Sequence, residues 1–189
     1  IGDYAFSGCG RLHEITIPSS VTSIGERAFS YCNALREITI PEGVTNIGDY
    51  TFYYCDSLSE ITIPSSVTSI GESAFSGCKH LREITIPSSV TTIGAAAFYR
   101  CEEIKKITIP EGVTAIENRT FAGCTRLSEI NILGNITSIG DDAFARCVFF
   151  TNITLPESLT SIGDGAFSNC KFTKITIPES VTSIGKGAF

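Results

Sequence analysis

The 189-residue sequence has no methionine, no tryptophan and only two histidines, His13 and His80. The two histidines occupy different positions in the sequence pattern, and neither has a plausible catalytic partner, so they do not indicate a histidine-based active site. No HExxH, GxSxG or Walker-type phosphate-binding loop occurs, and no CxxC pair accompanies the cysteines. These absences predict a non-enzymatic protein without a metal or a cofactor.

Long apolar runs and an excess of positive charge are also missing. No stretch reaches the roughly 18 consecutive apolar residues that suggest a membrane-spanning helix. The 14 Lys and Arg residues are outnumbered by 20 Asp and Glu residues, which gives a formal net charge of −6. Nucleic-acid recognition normally needs a basic stripe. The composition therefore predicts neither membrane insertion of this segment nor nucleic-acid binding.

Cysteine, by contrast, recurs at a constant interval of 23 residues. The eight positions are Cys9, Cys32, Cys55, Cys78, Cys101, Cys124, Cys147 and Cys170. The intervening residues recur as well: "CNALREITIPEGVTNIGDYTFYY" is followed directly by "CDSLSEITIPSSVTSIGESAFSG". Self-similarity with a period of about 20–50 residues is the signature of a repeat architecture. We predict one uninterrupted domain over residues 1–189 with about eight 23-residue repeats.

Aligned repeats place apolar residues in vertical columns. An Ile-x-Ile pair in nearly every repeat predicts a β-strand with one buried face. The predicted strands centre on Thr16, Thr39, Thr62, Thr85, Thr108, Asn131, Thr154 and Thr176. One repeat is too short to form a core, but stacked repeats bury their apolar sides against each other. The pattern predicts a solenoid with a parallel sheet.

Proline and glycine recur at fixed positions in most repeats. Proline usually follows the strand, and glycine follows the Ile of motifs such as "SIG", where we expect a positive φ or a tight corner. The next segment, for example "ERAFSYC", is predicted to be short and helical or turn-like. Glu117 replaces one corner glycine, Leu133 replaces one proline, and one residue is missing between Cys170 and Ile175. We expect a loop to absorb the deletion, because the apolar columns resume at Ile175.

The cysteine column leaves two interpretations open. In a secreted chain, eight cysteines could form a disulfide framework. Here each cysteine occupies the same inward position, so that neighbouring thiols would lie one coil apart, about 4.8–5 Å. A disulfide requires Cβ atoms about 3.8 Å apart. We therefore expect mostly buried, reduced thiols that pack as small hydrophobes, with bridges between neighbouring coils as the alternative.

The recurring strand, proline, corner glycine and Ala-Phe-x-x-Cys, as in "LREITIPEGVTNIGDYTFYYC", resemble the BspA-like (treponemal-type) leucine-rich repeats over the whole chain. The resemblance implies an α/β-type but mostly β repeat solenoid, a right-handed curved stack of coils with a parallel sheet on the concave face. It also implies a cell-surface or extracellular location and a protein partner on a host, a matrix or another cell. A repeat fold hosts many functions, so no site residue follows from it.

Candidate partner-binding residues are exposed positions that vary between repeats. Tyrosine offers a large contact area at low entropic cost, although packing of the rings against the next coil is an equal alternative. Phe149 lies at an otherwise polar position and predicts an exposed apolar spot. The candidates are Tyr31, Tyr50, Tyr53, Tyr54, Tyr99, Arg36, Arg82, Lys105, Lys106 and Phe149.

Two functions fit the sequence. The first is a non-enzymatic protein-interaction or adhesion module of a surface or secreted protein. The alternative is a structural spacer or a self-assembling filament segment without a dedicated ligand. Both end segments, "IGDYAFSGC" and "VTSIGKGAF", are as apolar as the interior repeats. Because terminal repeats normally need a polar cap, we expect an uncapped fragment of a longer array with a tendency to associate end to end.

Overall fold

The computed structural model describes all residues from Ile1 to Phe189. Every regular element is a short β-strand, and there is no helix. The strands are β1 (Glu37–Thr39), β2 (Asn46–Ile47), β3 (Glu60–Thr62), β4 (Ser69–Ile70), β5 (Thr92–Ile93), β6 (Lys106–Ile109), β7 (Ala115–Ile116), β8 (Glu129–Ile132), β9 (Ser138–Ile139), β10 (Ser161–Ile162) and β11 (Ser183–Ile184). All pairings are parallel. The predicted parallel-strand solenoid is confirmed.

The Ile-x-Ile segments form the first row of strands. β1 pairs with β3 and β6 pairs with β8, with Ile38 opposite Ile61, and one isolated bridge joins Glu60 to Glu83. The segments predicted to centre on Thr16, Thr85, Thr154 and Thr176 form no strand. Their isoleucines still face the core, but they lack the regular inter-coil hydrogen bonds of a ladder. The apolar pattern therefore predicted burial better than it predicted strand pairing.

A second row of strands, which the sequence did not predict, passes through the residues before the corner glycines. β2, β4 and β5 form one parallel sheet, and β7, β9, β10 and β11 form another. Ser161 pairs with Ser138, which lies 23 positions earlier, and with Ser183, which lies 22 positions later. The register is thus restored after the missing residue, as expected for a deletion in a loop.

The segment between the corner glycine and the cysteine forms consecutive turns. Phe52 donates its backbone N–H to Ala74 of the next coil at 2.8 Å, whereas Tyr53 donates to Tyr50 of its own coil at 3.0 Å. This alternation repeats along the stack. Because every second N–H group is committed to the next coil, the i→i−4 bonds of an α-helix cannot form.

Two positions in each turn segment have a positive φ. The first column contains Tyr4, Arg27, Tyr50, Ser73, Ala96, Arg119, Asp142, Gly165 and Gly187, and the second contains Gly8, Tyr31, Tyr54, Gly77, Arg100, Gly123, Arg146 and Asn169. Twelve of these residues are not glycine, and each then carries a strain of about 1–2 kcal/mol. The sequence showed no sign of these columns, because glycine occupies them only occasionally.

The core is a continuous stack of side chains along the solenoid axis. It contains a cluster of 47 buried residues. Nine phenylalanine rings stack with centroids 5.1–5.6 Å apart: Phe6, Phe29, Phe52, Phe75, Phe98, Phe121, Phe144, Phe167 and Phe189. Each ring contacts those of adjacent coils, so stability comes from the interfaces between repeats.

Six of the eight corner glycines are required by a close approach between coils, whereas a Cβ would meet nothing within 4 Å at Gly2 and nothing closer than 3.5 Å at Gly48. The alternative of a positive φ is wrong. None of the eight has a positive φ: Gly2, Gly25, Gly48, Gly71, Gly94, Gly140, Gly163 and Gly185. A Cβ on Gly71 would lie 2.7 Å from the backbone nitrogen of Asp49 in the preceding coil. The Asp49 carboxylate fills the remaining space, because it accepts the N–H of Glu72 at 2.7 Å. Glycine lets the two coils touch.

The second row of strands breaks where Glu117 replaces the corner glycine, between β5 and β7. Thr120 stands where most repeats have alanine, and its hydroxyl donates to the Glu117 carbonyl at 2.8 Å. Thr51 makes the same bond to Gly48 at 2.9 Å, and there a Cβ on the glycine would meet no atom closer than 3.5 Å. The corner is therefore more open where threonine replaces alanine, which leaves room for the Glu117 side chain.

The expected burial of the cysteine column is confirmed: six of the eight thiols are buried, Cys170 is half-buried and Cys9 is exposed. Each thiol from Cys32 to Cys170 donates to a phenylalanine carbonyl of the preceding coil at 3.0–3.2 Å. Burial raises the pKa of Cys32 to about 11 and that of Cys124 to about 12. The column thus adds hydrogen bonds between coils to the packing that the sequence predicted.

Candidate interaction surface

Four tyrosines from two adjacent repeats meet on the turn face, the surface formed by the turn segments. The Tyr53 ring lies at the centre, with centroid distances of 5.5 Å to Tyr31, 5.3 Å to Tyr50 and 4.6 Å to Tyr54. The rings of Tyr31 and Tyr54 stack at 5.8 Å. Ring pairs at these separations attract each other beyond their hydrophobic contact. We call these four residues the tyrosine cluster.

Arg27 extends the tyrosine cluster toward Tyr4. Its guanidinium group lies 4.3 Å from the Tyr50 ring centre and 5.9 Å from that of Tyr4, within cation–π range. The same group pairs with Glu26 at 3.2 Å. Arg27 is not among the residues predicted from the sequence, although the alignment places it between Tyr4 and Tyr50 in one column. This shared column is the sequence feature from which the position of Arg27 could have been predicted.

Hydrogen bonding and burial keep the inner phenols protonated. The Tyr50 hydroxyl donates to Glu72 Oε1 at 2.7 Å, and this bond raises the pKa of Tyr50. Burial raises the pKa of Tyr53. Tyr50 and Tyr53 therefore present neutral hydroxyl groups at physiological pH.

The backbone explains both how the rings pack and how they reach the solvent. Tyr31 and Tyr54 occupy the second positive-φ column. The Tyr54 ring covers Gly77 of the next coil so closely that a Cβ there would lie 3.0 Å from it. Tyr31 remains 48% exposed. Packing against the next coil and solvent exposure thus coexist in one cluster.

Tyr99 does not join the tyrosine cluster. It occupies the same turn position as Tyr53 but lies two coils further along the stack. There it lines a separate groove with Arg100 and Arg119. The structure therefore divides the predicted tyrosine set into a cluster and one distant residue.

Three of the four predicted basic residues come together on the strand face, the surface of the first strand row. Arg82, Lys105 and Lys106 line one groove with a volume of about 700 Å³. Lys106 pairs with Glu129 at 2.5 Å, which offsets part of its charge. Arg36 lies two coils earlier and does not line this groove. The adjoining part of the same face is acidic, with Glu14, Glu37, Glu60 and Glu83 in one column.

Phe149 is exposed as predicted, at 62% of its surface. Its neighbour Val148 is partly accessible, whereas Phe150 is fully buried in the core. Neither the tyrosine cluster nor the basic groove includes Phe149, so it forms a separate apolar spot.

No arrangement of three or more His, Cys, Asp or Glu side chains is suited to hold a metal ion. The chain also contains no helix of the length and hydrophobicity needed to cross a bilayer.

The family model for the BspA type leucine rich repeat region matches residues 1–128 and 114–189, with six copies. No curated protein matches the sequence significantly. The match to the family model covers the whole chain and agrees with the repeat pattern and the parallel solenoid.

Solved structures of bacterial leucine-rich repeat proteins share the fold. One from Bacteroides ovatus has 42% sequence identity and a TM-score of 0.94 over 98% of this chain and 48% of its own. The Treponema pallidum leucine-rich repeat protein has 37% identity and a TM-score of 0.67, covering 69% of this chain and 61% of its own. A leucine-rich cell surface protein from Faecalibacterium prausnitzii has 35% identity and a TM-score of 0.64, covering 94% and 43%.

The chain thus spans about half the length of these relatives. Sequence, fold and internal repeats agree, and the chain belongs to the BspA-type leucine-rich repeat family.

Proposed function

We propose that the chain is a protein-interaction module of a cell-surface protein, which adheres to a protein of a host, a matrix or another cell. The observation that carries this proposal is the tyrosine cluster with Arg27 on the turn face. Tyrosine and arginine are the residue types most enriched at energetically important interface positions. The surface location rests on similarity to a protein described as a leucine-rich cell surface protein.

The geometry of the tyrosine cluster suits binding. Its inner rings are held by neighbouring rings and by the Glu72 carboxylate, so little side-chain freedom remains to be lost when a partner docks. Tyr31 keeps about half of its surface open to a partner. The basic groove at Arg82, Lys105 and Lys106 is the second candidate surface, and its charges would mainly accelerate encounter with an acidic partner.

The repeats themselves supply a variant that tests this proposal. Replacing Tyr31 and Tyr54 by glycine and Tyr53 by serine recreates the Ser-Gly-Cys sequence found at Ser76–Cys78. Both glycines fall at positive φ, so the variant is expected to fold. The control is Tyr99→Ser, which removes a tyrosine outside the tyrosine cluster.

Binding would be measured by flow cytometry on epithelial cells and by surface plasmon resonance on purified matrix glycoproteins. We expect saturable binding of the wild-type protein, a loss of about tenfold or more in affinity for the triple variant, and wild-type affinity for Tyr99→Ser. Equal affinities of wild type and triple variant would remove the tyrosine cluster from the binding site. Absence of binding to every cell and protein would favour the spacer function.

A further inference from the structure

A second groove on the turn face contains three arginines from three successive repeats. Arg100, Arg119 and Arg146 line this groove, whose volume is about 580 Å³. It lies beyond the small residues Ser76 and Gly77, which separate it from the tyrosine cluster along the stack. The groove is therefore a feature of its own, and its ligand binding does not depend on the proposed adhesion function.

A glycine stands between two of the arginines that line the groove. Arg100, Gly123 and Arg146 occupy the second positive-φ column in consecutive coils. The Arg100 side chain extends over Gly123, where a Cβ would lie 3.1 Å from its Cγ, and Arg146 lies two coils beyond Arg100, about 10 Å along the stack. The backbone of this column is held firmly, since Arg100 and Arg146 each donate an N–H to the next coil at 2.8 Å.

The positive charge in the groove is only partly balanced. Arg119 approaches Asp142 at 3.4 Å and Arg100 approaches Glu102 at 3.6 Å, and all four side chains are substantially exposed. Long, exposed ion pairs of this kind are weak and exchange readily with other partners. Arg146 has no ion pair at all. Glu102 and Asp142 also line the groove, so three arginines and two carboxylates leave it with a net charge of +1 in a chain whose net charge is −6.

The groove also offers neutral polar groups. Ser168, Asn169 and Tyr99 also line it. Guanidinium groups bind planar or tetrahedral oxyanions through two parallel N–H groups. We propose that this groove binds an oxyanion, a sulfate, phosphate or carboxylate group, either as a free anion or as a substituent of a sugar chain.

The test is a calorimetric titration with two probes at constant ionic strength, sodium sulfate and a heparin-derived sulfated hexasaccharide. In the variant R100G/R146G, both arginines become the residue that Gly123 already provides in the same column, so the turns are expected to persist. The control K174A/K186A removes the same charge at two exposed lysines that lie outside both this groove and the basic groove. Circular dichroism and thermal melting of all three proteins establish that the fold is retained.

We expect saturable binding by wild type and control, with R100G/R146G weaker by about tenfold or more for the hexasaccharide. A hexasaccharide that binds much more tightly than sulfate identifies a sugar chain as the carrier, and equal affinity identifies a free anion; either result supports the site. Non-saturable binding by wild type, or equal loss of affinity in R100G/R146G and K174A/K186A, would overturn the proposal, because the effect would then be general electrostatics.

Discussion

The thiol of Cys78 donates a 3.1 Å hydrogen bond to the backbone carbonyl of Phe52, which belongs to the preceding coil. The same carbonyl accepts the backbone N–H of Cys55 at 3.2 Å. Both lone pairs of this carbonyl oxygen are thereby used, so its hydrogen-bonding capacity is filled away from water. Because this arrangement recurs from coil to coil, the cysteine thiols connect each repeat to the preceding one by a hydrogen bond.

The first prediction concerns thiol access. Iodoacetamide at about pH 8 should label Cys9 rapidly and Cys170 slowly in the folded protein, while the six buried cysteines resist labelling, because burial suppresses the reactive thiolate. Mass spectrometry counts the labels. After denaturation without a reducing agent, all eight cysteines should react; a smaller number would reveal disulfides.

The second prediction concerns alkaline stability. Burial raises the pKa of Cys124 from the ordinary value of 9.0 to about 12 in the folded protein. Above about pH 9 the unfolded chain releases this proton while the folded chain retains it, so stability is full below about pH 9 and falls as the pH rises toward about 12. The free energy of unfolding should fall by up to about 1.4 kcal/mol per pH unit for each buried thiol.

The matched comparison is Cys124→Ala, measured by denaturant unfolding at several pH values from about 8 to 11. The variant should be less stable at low pH by about 1–2 kcal/mol, because it loses a hydrogen bond and buried volume. Its deficit should shrink as the pH rises. A deficit independent of pH would show that the thiol ionises as easily in the folded protein as in the unfolded chain.

The third prediction compares two corner glycines. Gly71→Ala should lower the free energy of unfolding by about 2–3 kcal/mol, because its Cβ would overlap Asp49 of the preceding coil. Gly48→Ala should have an effect of less than about 1 kcal/mol, because the nearest atom to its Cβ would be 3.5 Å away. Urea unfolding measures both. Equal costs would contradict the role assigned to coil-to-coil contact.

The fourth prediction concerns backbone strain. Ala96 has a φ of 54°. Ala96→Gly should raise the free energy of unfolding by about 0.5 kcal/mol, because the relief of strain in the folded state outweighs the entropy that glycine adds to the unfolded chain. The neighbouring Ala95→Gly, at a residue without a positive φ, should instead lower it by about 0.5–1 kcal/mol. Thermal unfolding distinguishes the two, and shifts of the same sign would show that strain at Ala96 does not limit stability.

The fifth prediction concerns self-association of the isolated 189-residue polypeptide. Ile184 and Phe189 are about half exposed in the last coil, at 49% and 52%. Sedimentation velocity over a concentration series should show growing oligomers, and Ile184→Lys with Phe189→Glu should reduce them by placing charge on this apolar end. A wild-type monomer at high concentration would show that open coil ends are tolerated.

Periodicity alone determined the solenoid, the inward columns of Phe29, Ile38 and Cys55, and the parallel register. A side chain that recurs at a constant interval in a coil must stack on its own copies, and apolar copies must share one core. The exposed positions of Tyr31 and Phe149 followed from the same alignment, because they depart from the pattern on its outer side.

Only the tertiary structure decided which exposed residues meet and how the turns are built. The second strand row, the positive-φ columns and the break in that row at Glu117 depend on hydrogen bonds between coils. The residue types within one repeat do not specify those bonds. For the same reason Arg27 joins the tyrosines, while Tyr99 and Arg100 lie around a separate groove beside Gly123. The spacing of side chains across the stack is set by backbone geometry, and that geometry exists only once the coils are packed.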